Sequence, residues 1–217
     1  MSNANGDQNA TGDEVRRERI EWCDIWVPEA NSDKLPRVLL VGDSITKGYY
    51  GSVDSELKGQ AAVARLATSA FLTDPAFLMQ LDCLLDSYDF DVIHFNNGLH
   101  GWGYSEQEYG DALPVIIQHL RDKEPGATLI LANSTPLRDR ADLSKLRDSN
   151  SRVLERNRLL AGVASSQAIP VNDLYSLVAD KSELYSQDGT HFNNEGRALQ
   201  GKQVAAAVAK ALAERAQ

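Results

Sequence analysis

Residues 37–45 read RVLLVGDSI: an unbroken aliphatic run, Val38 to Val41, then a glycine, an aspartate and a serine. A run this compact, closed by glycine, reads as a buried strand that ends in a turn and leaves Ser44 at its carboxyl end. Three other stretches share the grammar: DVIHFNNG at 91–98, ATLILANS at 127–134 and the shorter AIPVND at 168–173. AAVARLAT at 61–68 reads equally as a fifth strand or as a helix.

Between these runs the apolar spacing is helical. Phe77, Leu78, Leu81 and Leu85 share a face within 75–85. Ser105 and Glu108 form a capping-box pair ahead of Leu113, Ile116, Ile117 and Leu120, with Pro114 expected to bend or delay that helix. A long charged helix is expected around 143–164, where Arg152, Arg156 and Arg158 look like a solvated face paired with Glu155. A last helix over 195–216 carries Val204, Val208 and Leu212 at four-residue intervals. Apolar strands alternating with amphipathic helices imply a parallel sheet covered on both faces.

The ends of the chain are read from composition. Residues 1–12 are polar and lack large apolar side chains, so they are expected to form a disordered tail. From Asp13 to Trp26 a short helix is expected, with Val15, Ile20, Trp22 and Trp26 against a core, followed by a linker between Pro28 and Pro36. At 217 residues the chain can enclose one sizeable core, so 13–217 is expected to be a single domain with a helical extension over 13–35. Its net charge of −9, with no dense Lys/Arg block, argues against nucleic acid or an anionic membrane as partner and suits a neutral small molecule. No export signal or spanning stretch is seen, which makes the cytoplasm the expected location. Cys23 and Cys83 each fall in an apolar helical pattern and are expected to be buried, unpaired thiols.

In sheets of this kind ligands gather at the carboxyl ends of the strands. Those positions here hold Gly42-Asp43-Ser44, then Asn96-Asn97-Gly98-Leu99-His100, then Asn133-Ser134-Thr135, and the last strand leads towards Asp188-Gly189-Thr190-His191. A serine hydroxyl becomes a useful nucleophile when an imidazole takes its proton and a carboxylate orients that imidazole. Ser44, His191 and Asp188 can supply the three roles. The Ser44 N–H is the first candidate donor to the oxyanion of an acyl-transfer intermediate.

GDSI after the first buried run and DGTH before the last helix resemble the first and last motif blocks of the GDSL/SGNH hydrolases, from about Pro36 to Ala213. The resemblance implies a flavodoxin-like three-layer α/β/α sandwich on a five-stranded, mostly parallel sheet. It implies ester hydrolysis through an acyl-enzyme without metal or organic cofactor, on a small-molecule ester. Two positions depart from the family pattern. Where its third block has an asparagine two residues after a glycine, alignment on Gly98 puts His100, leaving His100 by register or Asn97 as oxyanion donor. Where its second block has a glycine N–H, this chain has Thr68 or Ser69.

Around these blocks Asp43 reads as a turn residue and, with Tyr49, Tyr50, Trp102 and Thr135, as a candidate lining of a substrate pocket. His94 and His119 read as structural, and Asn133-Ser134-Thr135 as a strand-end turn. The reading is a serine esterase for a small acyl group, acetyl first, on a carbohydrate or related molecule. Its rivals are a ligand-binding relative that has lost catalysis and an acyltransferase using the same three residues.

Overall fold

The structure, a computed structural model, describes residues 15–215; the polar tail expected over 1–12 lies outside them. Among the described residues six strands form one sheet: β1 Cys23–Trp26, β2 Arg37–Gly42, β3 Ala62–Thr68, β4 Val92–Phe95, β5 Thr128–Ala132 and β6 Val171–Asn172. Their order is β1-β3-β2-β4-β5-β6. All neighbours run parallel except β1, which pairs antiparallel to β3 with Cys23 opposite Thr68. Numbered among themselves, the five parallel strands take the flavodoxin-like order 2-1-3-4-5. The chain leaves β2 for β3 on one side and then crosses to β4 on the other. The crevice above the ends of β2 and β4 is therefore the topological switch point, the place where such sheets bind ligands.

Alternate residues of each central strand feed two cores. Leu39, Val41, Ala64, Leu66, Ile93 and Phe95 pack under α2 (Pro75–Leu85) and α3 (Glu106–Lys123). Val38, Leu40, Val63, Val92 and Ile130 pack under α1 (Ser44–Glu56) and α6 (Asn194–Arg215). Burial on both faces is why β2 shows no polar residue from Val38 to Val41, all of them fully buried. The remaining helices are α4 (Asn150–Ser166), which packs beside α3, and the short α5 (Leu174–Val178). The Ser105–Glu108 capping box forms as expected, and α3 begins well before Pro114 and continues through it.

Three expectations are corrected. The segment from residue 15 is irregular rather than helical, with a bend at residues 19–20, and ends in β1, which completes the outer edge of β3. Ile20 is 60% exposed, and within β1 Ile25 and Trp26 are 39% and 57% exposed, so the pairing of β1 rests on backbone hydrogen bonds and the Asp24–Arg65 ion pair and not on burial of its large side chains. Both cysteines are free but exposed. The helix expected from 143 starts at Asn150, because Asp139 and Asp142 accept hydrogen bonds from Ala141 N and Ser144 N and hold turns there instead.

Candidate active site

Asp43 caps α1, its Oδ1 accepting from Ile45 N at 2.8 Å, and so fixes the turn that presents Ser44 as the first helical residue. At that position the Ser44 N–H has no intrahelical acceptor and points out at the positive end of the helix. The opposite wall is the loop before α6. Gly189, at φ 69°, is forced there: a Cβ would lie 2.2 Å from the Arg138 carbonyl oxygen, which no side chain tolerates. Arg138 N donates to Gly189 O at 2.7 Å, Ser186 N to His191 O at 2.8 Å, and Arg147 Nη2 to Asp188 O at 2.9 Å.

This pinning brings together side chains 147 positions apart. Asp188 Oδ2 accepts from His191 Nδ1 at 2.7 Å, which assigns the proton to Nδ1 and leaves the Nε2 lone pair facing Ser44 Oγ at 2.8 Å. Asp188 Oδ1 accepts from the backbone N–H of Thr190 and of His191, both at 2.8 Å. Partial burial opposes the charge on Asp188, but those hydrogen bonds, led by the His191 ring, outweigh it and hold the carboxyl down at about 2. The arrangement can move a proton from a serine hydroxyl to an imidazole while a fixed carboxylate balances the developing charge.

The oxyanion candidates are differently placed. Ser69 N donates to Trp22 O at 3.1 Å, and its hydroxyl donates to Glu21 Oε2 at 2.6 Å. Thr68 Oγ1 donates to Trp22 O at 3.1 Å and accepts from Ala70 N. Asn97 is buried and its amide donates to Ala70 O at 3.0 Å, so it does not swing towards Ser44. Gly98 packs against the Ser134 side chain. His100 Nδ1 meets Glu18 Oε1 at 3.1 Å, the same oxygen that accepts from Gly101 N at 3.2 Å, and its ring stands edge-on to Trp22. Burial works against a charged His100, yet the Glu18 bond and the charges of Asp43, Glu18 and Glu21 prevail and raise its pKa. As an imidazolium it keeps Nε2–H free to donate.

Of the five pocket candidates, Asp43 is buried in its capping role and Trp102 lines a cavity. It stands with Leu99, Leu137 and Thr190 around a space of about 290 Å³ beside the histidine loop. A crevice of only about 10 Å³ lies directly at Ser44 and His191, on the side of Gly48 and Arg197. Tyr49 is core, 1% exposed, with its hydroxyl on Thr46 Oγ1. Tyr50 turns away to donate to Val63 O, and Thr135 is buried behind the rim. His94 pairs with Asn172 and His119 with Asp82, as structural histidines do. Asn133 is a turn residue, its amide bonded to Asp173 and its oxygen to Tyr175 N.

Two residues of the site escaped the sequence reading. Arg156 is fully buried, not solvated, and donates to the carbonyls of Gly98, His100 and Gly101 at 3.2, 2.6 and 3.1 Å. Its signal was periodicity: it falls on the buried stripe of Val153, Leu160 and Ala164. Glu18 gave no signal, because only its position against His100 distinguishes it from its acidic neighbours.

Residues 40–199 match the GDSL-like lipase/acylhydrolase family. The chain belongs to that family. Among solved structures this acylhydrolase is similar to the M. smegmatis aryl esterase, at 16% identity and TM-score 0.67 over 81% of this chain and 99% of that one. A lipase/acylhydrolase from Enterococcus faecalis is 20% identical, with TM-score 0.63 over 80% and 95%. The acetyl xylan esterase AlAXEase is 19% identical, with TM-score 0.63 over 79% and 99%. At these identities the likeness establishes the shared fold. No curated protein matches the sequence. No helix among the described residues is long and apolar enough to cross a membrane.

Proposed function

We propose that this acylhydrolase is a serine esterase for small acyl esters, with Ser44 as nucleophile, His191 as general base and Asp188 as its orienting carboxylate. The observation that carries the reading is the unbroken relay from Asp188 through His191 to Ser44, at 2.7 and 2.8 Å. Ser44 Oγ attacks the ester carbonyl as its proton passes to His191 Nε2. The tetrahedral oxyanion takes a hydrogen bond from Ser44 N–H and a second from His100. Collapse expels the alcohol, protonated by His191, and water repeats the sequence on the acyl-enzyme. Acetyl esters of a carbohydrate or related alcohol come first as substrates, since an aryl esterase and an acetyl xylan esterase share the fold and the Trp102 side chain lines the cavity beside the histidine loop.

Ser44→Ala is expected to lower hydrolysis of 4-nitrophenyl acetate by several orders of magnitude at unchanged thermal stability. A fluorophosphonate should label the parent protein stoichiometrically and leave the variant unlabelled. Retained turnover in the variant refutes the assignment, and an unlabelled parent favours a binding protein over an enzyme.

A further inference from the structure

The cavity beside the histidine loop differs in kind from the rest of the surface. The chain carries a net charge of −9, yet the polar wall of this cavity is Arg147, Ser149, Arg152 and Thr190. The donors of Arg152 are committed, because its Nε donates to Glu106 Oε1 at 2.6 Å, a carboxylate it shares with Arg156, and its remaining nitrogens to the carbonyls of Trp102 and Tyr104. Those of Arg147 are not. The one protein acceptor of its guanidinium among the described residues is the Asp188 carbonyl, on Nη2, so Nε and Nη1 remain available. Ser149 sits at the N-cap of α4 without making the side-chain capping bond usual there, which leaves its hydroxyl uncommitted at the positive end of a helix. The other walls are apolar: Leu99, Leu137 and the Trp102 indole.

We propose that this cavity is a substrate subsite that recognises a carboxylate on the ester, through Arg147 with Ser149 and Thr190 as supporting donors. One unpaired guanidinium supplies one positive charge and a planar fork, which matches the charge and shape of a carboxylate. Two hydroxyls satisfy its remaining lone pairs, and the apolar walls take the carbon body that links it to the ester. A cavity of about 290 Å³ suits a single ring or a short chain. Thr190 adjoins His191 in sequence, and Arg147 is bonded to the Asp188 carbonyl, so a ligand held here lies next to the proposed relay. The inference rests on the esterase reading and narrows its substrate from small esters to acidic ones.

Two substrate pairs read the preference and locate the carboxylate. On the alcohol side the pair is 4-acetoxybenzoate and its methyl ester, and on the acyl side phenyl hydrogen glutarate and phenyl methyl glutarate. The acidic member of at least one pair should have the higher kcat/KM by about tenfold, the worth of one charge-assisted hydrogen bond. Arg147→Gln should erase that ratio and Arg147→Lys restore part of it. Because Arg147 also holds the Asp188 carbonyl, Ser149→Asp gives an independent reading. Aspartate is a good N-cap, so the variant should fold, and its own carboxylate should occupy the guanidinium and abolish the preference. Equal rates within both pairs, or a preference untouched by Ser149→Asp, overturn the proposal. If no ester is turned over, the esterase reading fails by itself, and calorimetric titration with 4-acetoxybenzoate still tests the subsite. Binding abolished by Ser149→Asp supports it, and absence of binding to the parent protein overturns it.

Discussion

Glu18 and His100 form a pair whose charge state bears on catalysis and on stability with calculable signs. The carboxyl of Glu18 is lowered: burial opposes this, but the hydrogen bond and charge of His100 with the Gly101 N–H prevail. His100 is raised against its own burial by Glu18 and the neighbouring carboxylates. A lowered carboxyl stabilises the fold above its unfolded value and loses that contribution as pH falls; a raised histidine stabilises below its unfolded value and loses it as pH rises through the folded one. The pair is therefore strongest between about pH 4.5 and 6.5. Glu18→Gln should cost about 1 kcal/mol at pH 5.5 and less at pH 8.5, measured by urea unfolding, since the pair is only partly shielded from water. If the His100 imidazolium donates to the oxyanion, the same variant also moves the alkaline limb of kcat to lower pH, because His100 then loses its proton earlier. An unmoved limb removes His100 from the proposed mechanism and leaves the stability effect standing.

The loop that carries Gly98, His100 and Gly101 is held from beneath by α4, through Arg156. Its guanidinium also lies 4.8 Å from the Trp102 ring centroid and 3.4 Å from Glu106. Arg156→Met keeps the volume but leaves buried carbonyls without donors, so a loss of about 3 kcal/mol is expected, with a fall in activity beyond what lost stability explains. Denaturant unfolding and kinetics well below the melting temperature check the two parts. A loss below about 0.5 kcal/mol, the range of surface substitutions, would mean that the loop stands without this support. That arginine also marks the limit of what the chain discloses. β2, β4 and β5 were legible because a strand buried on both faces is predominantly apolar, His94 being the polar exception in β4, and the meeting of Ser44 with Asp188 and His191 was foreseen because a proposed serine relay needs those three residue types. β3 was ambiguous because alanine suits either state until a neighbouring strand claims its backbone. β1 was illegible, since Cys23-Asp24-Ile25-Trp26 pairs through its backbone and leaves Ile25 and Trp26 substantially exposed. The surroundings of Ser69 and His100 were illegible for the same reason: residues 18–22 reach them by individual hydrogen bonds, the Glu18 and Glu21 carboxylates accepting and Trp22 N donating, without a periodic pattern.

Acid should act on the whole molecule through a group far from that rim. His94 lies in the middle of the sheet, fully buried between β2 and β5, with Nε2 3.1 Å from the Asn172 amide and the Tyr49 ring edge-on to it. Burial pushes its pKa from 6.5 down to about 4, so the native state holds it neutral while the unfolded chain takes up a proton. Stability rises with pH wherever the unfolded state binds more protons, so the His94 contribution is complete above about pH 6.5, declines as pH falls, and levels off below about 4. At about 1.4 kcal/mol per pH unit the loss sums to about 3 kcal/mol, a large part of the 5–15 kcal/mol typical of a domain. It begins well above the pH at which Asp188, held at about 2, would surrender its hydrogen bonds. His94→Gln keeps an acceptor for Asn172 and cannot titrate, so urea unfolding at pH 7, 5.5 and 4 should give a shallower decline for the variant than for the parent, whatever its starting stability. Parallel declines would place the acid sensitivity in other groups that gain protons over that interval, the carboxylates and His100 among them.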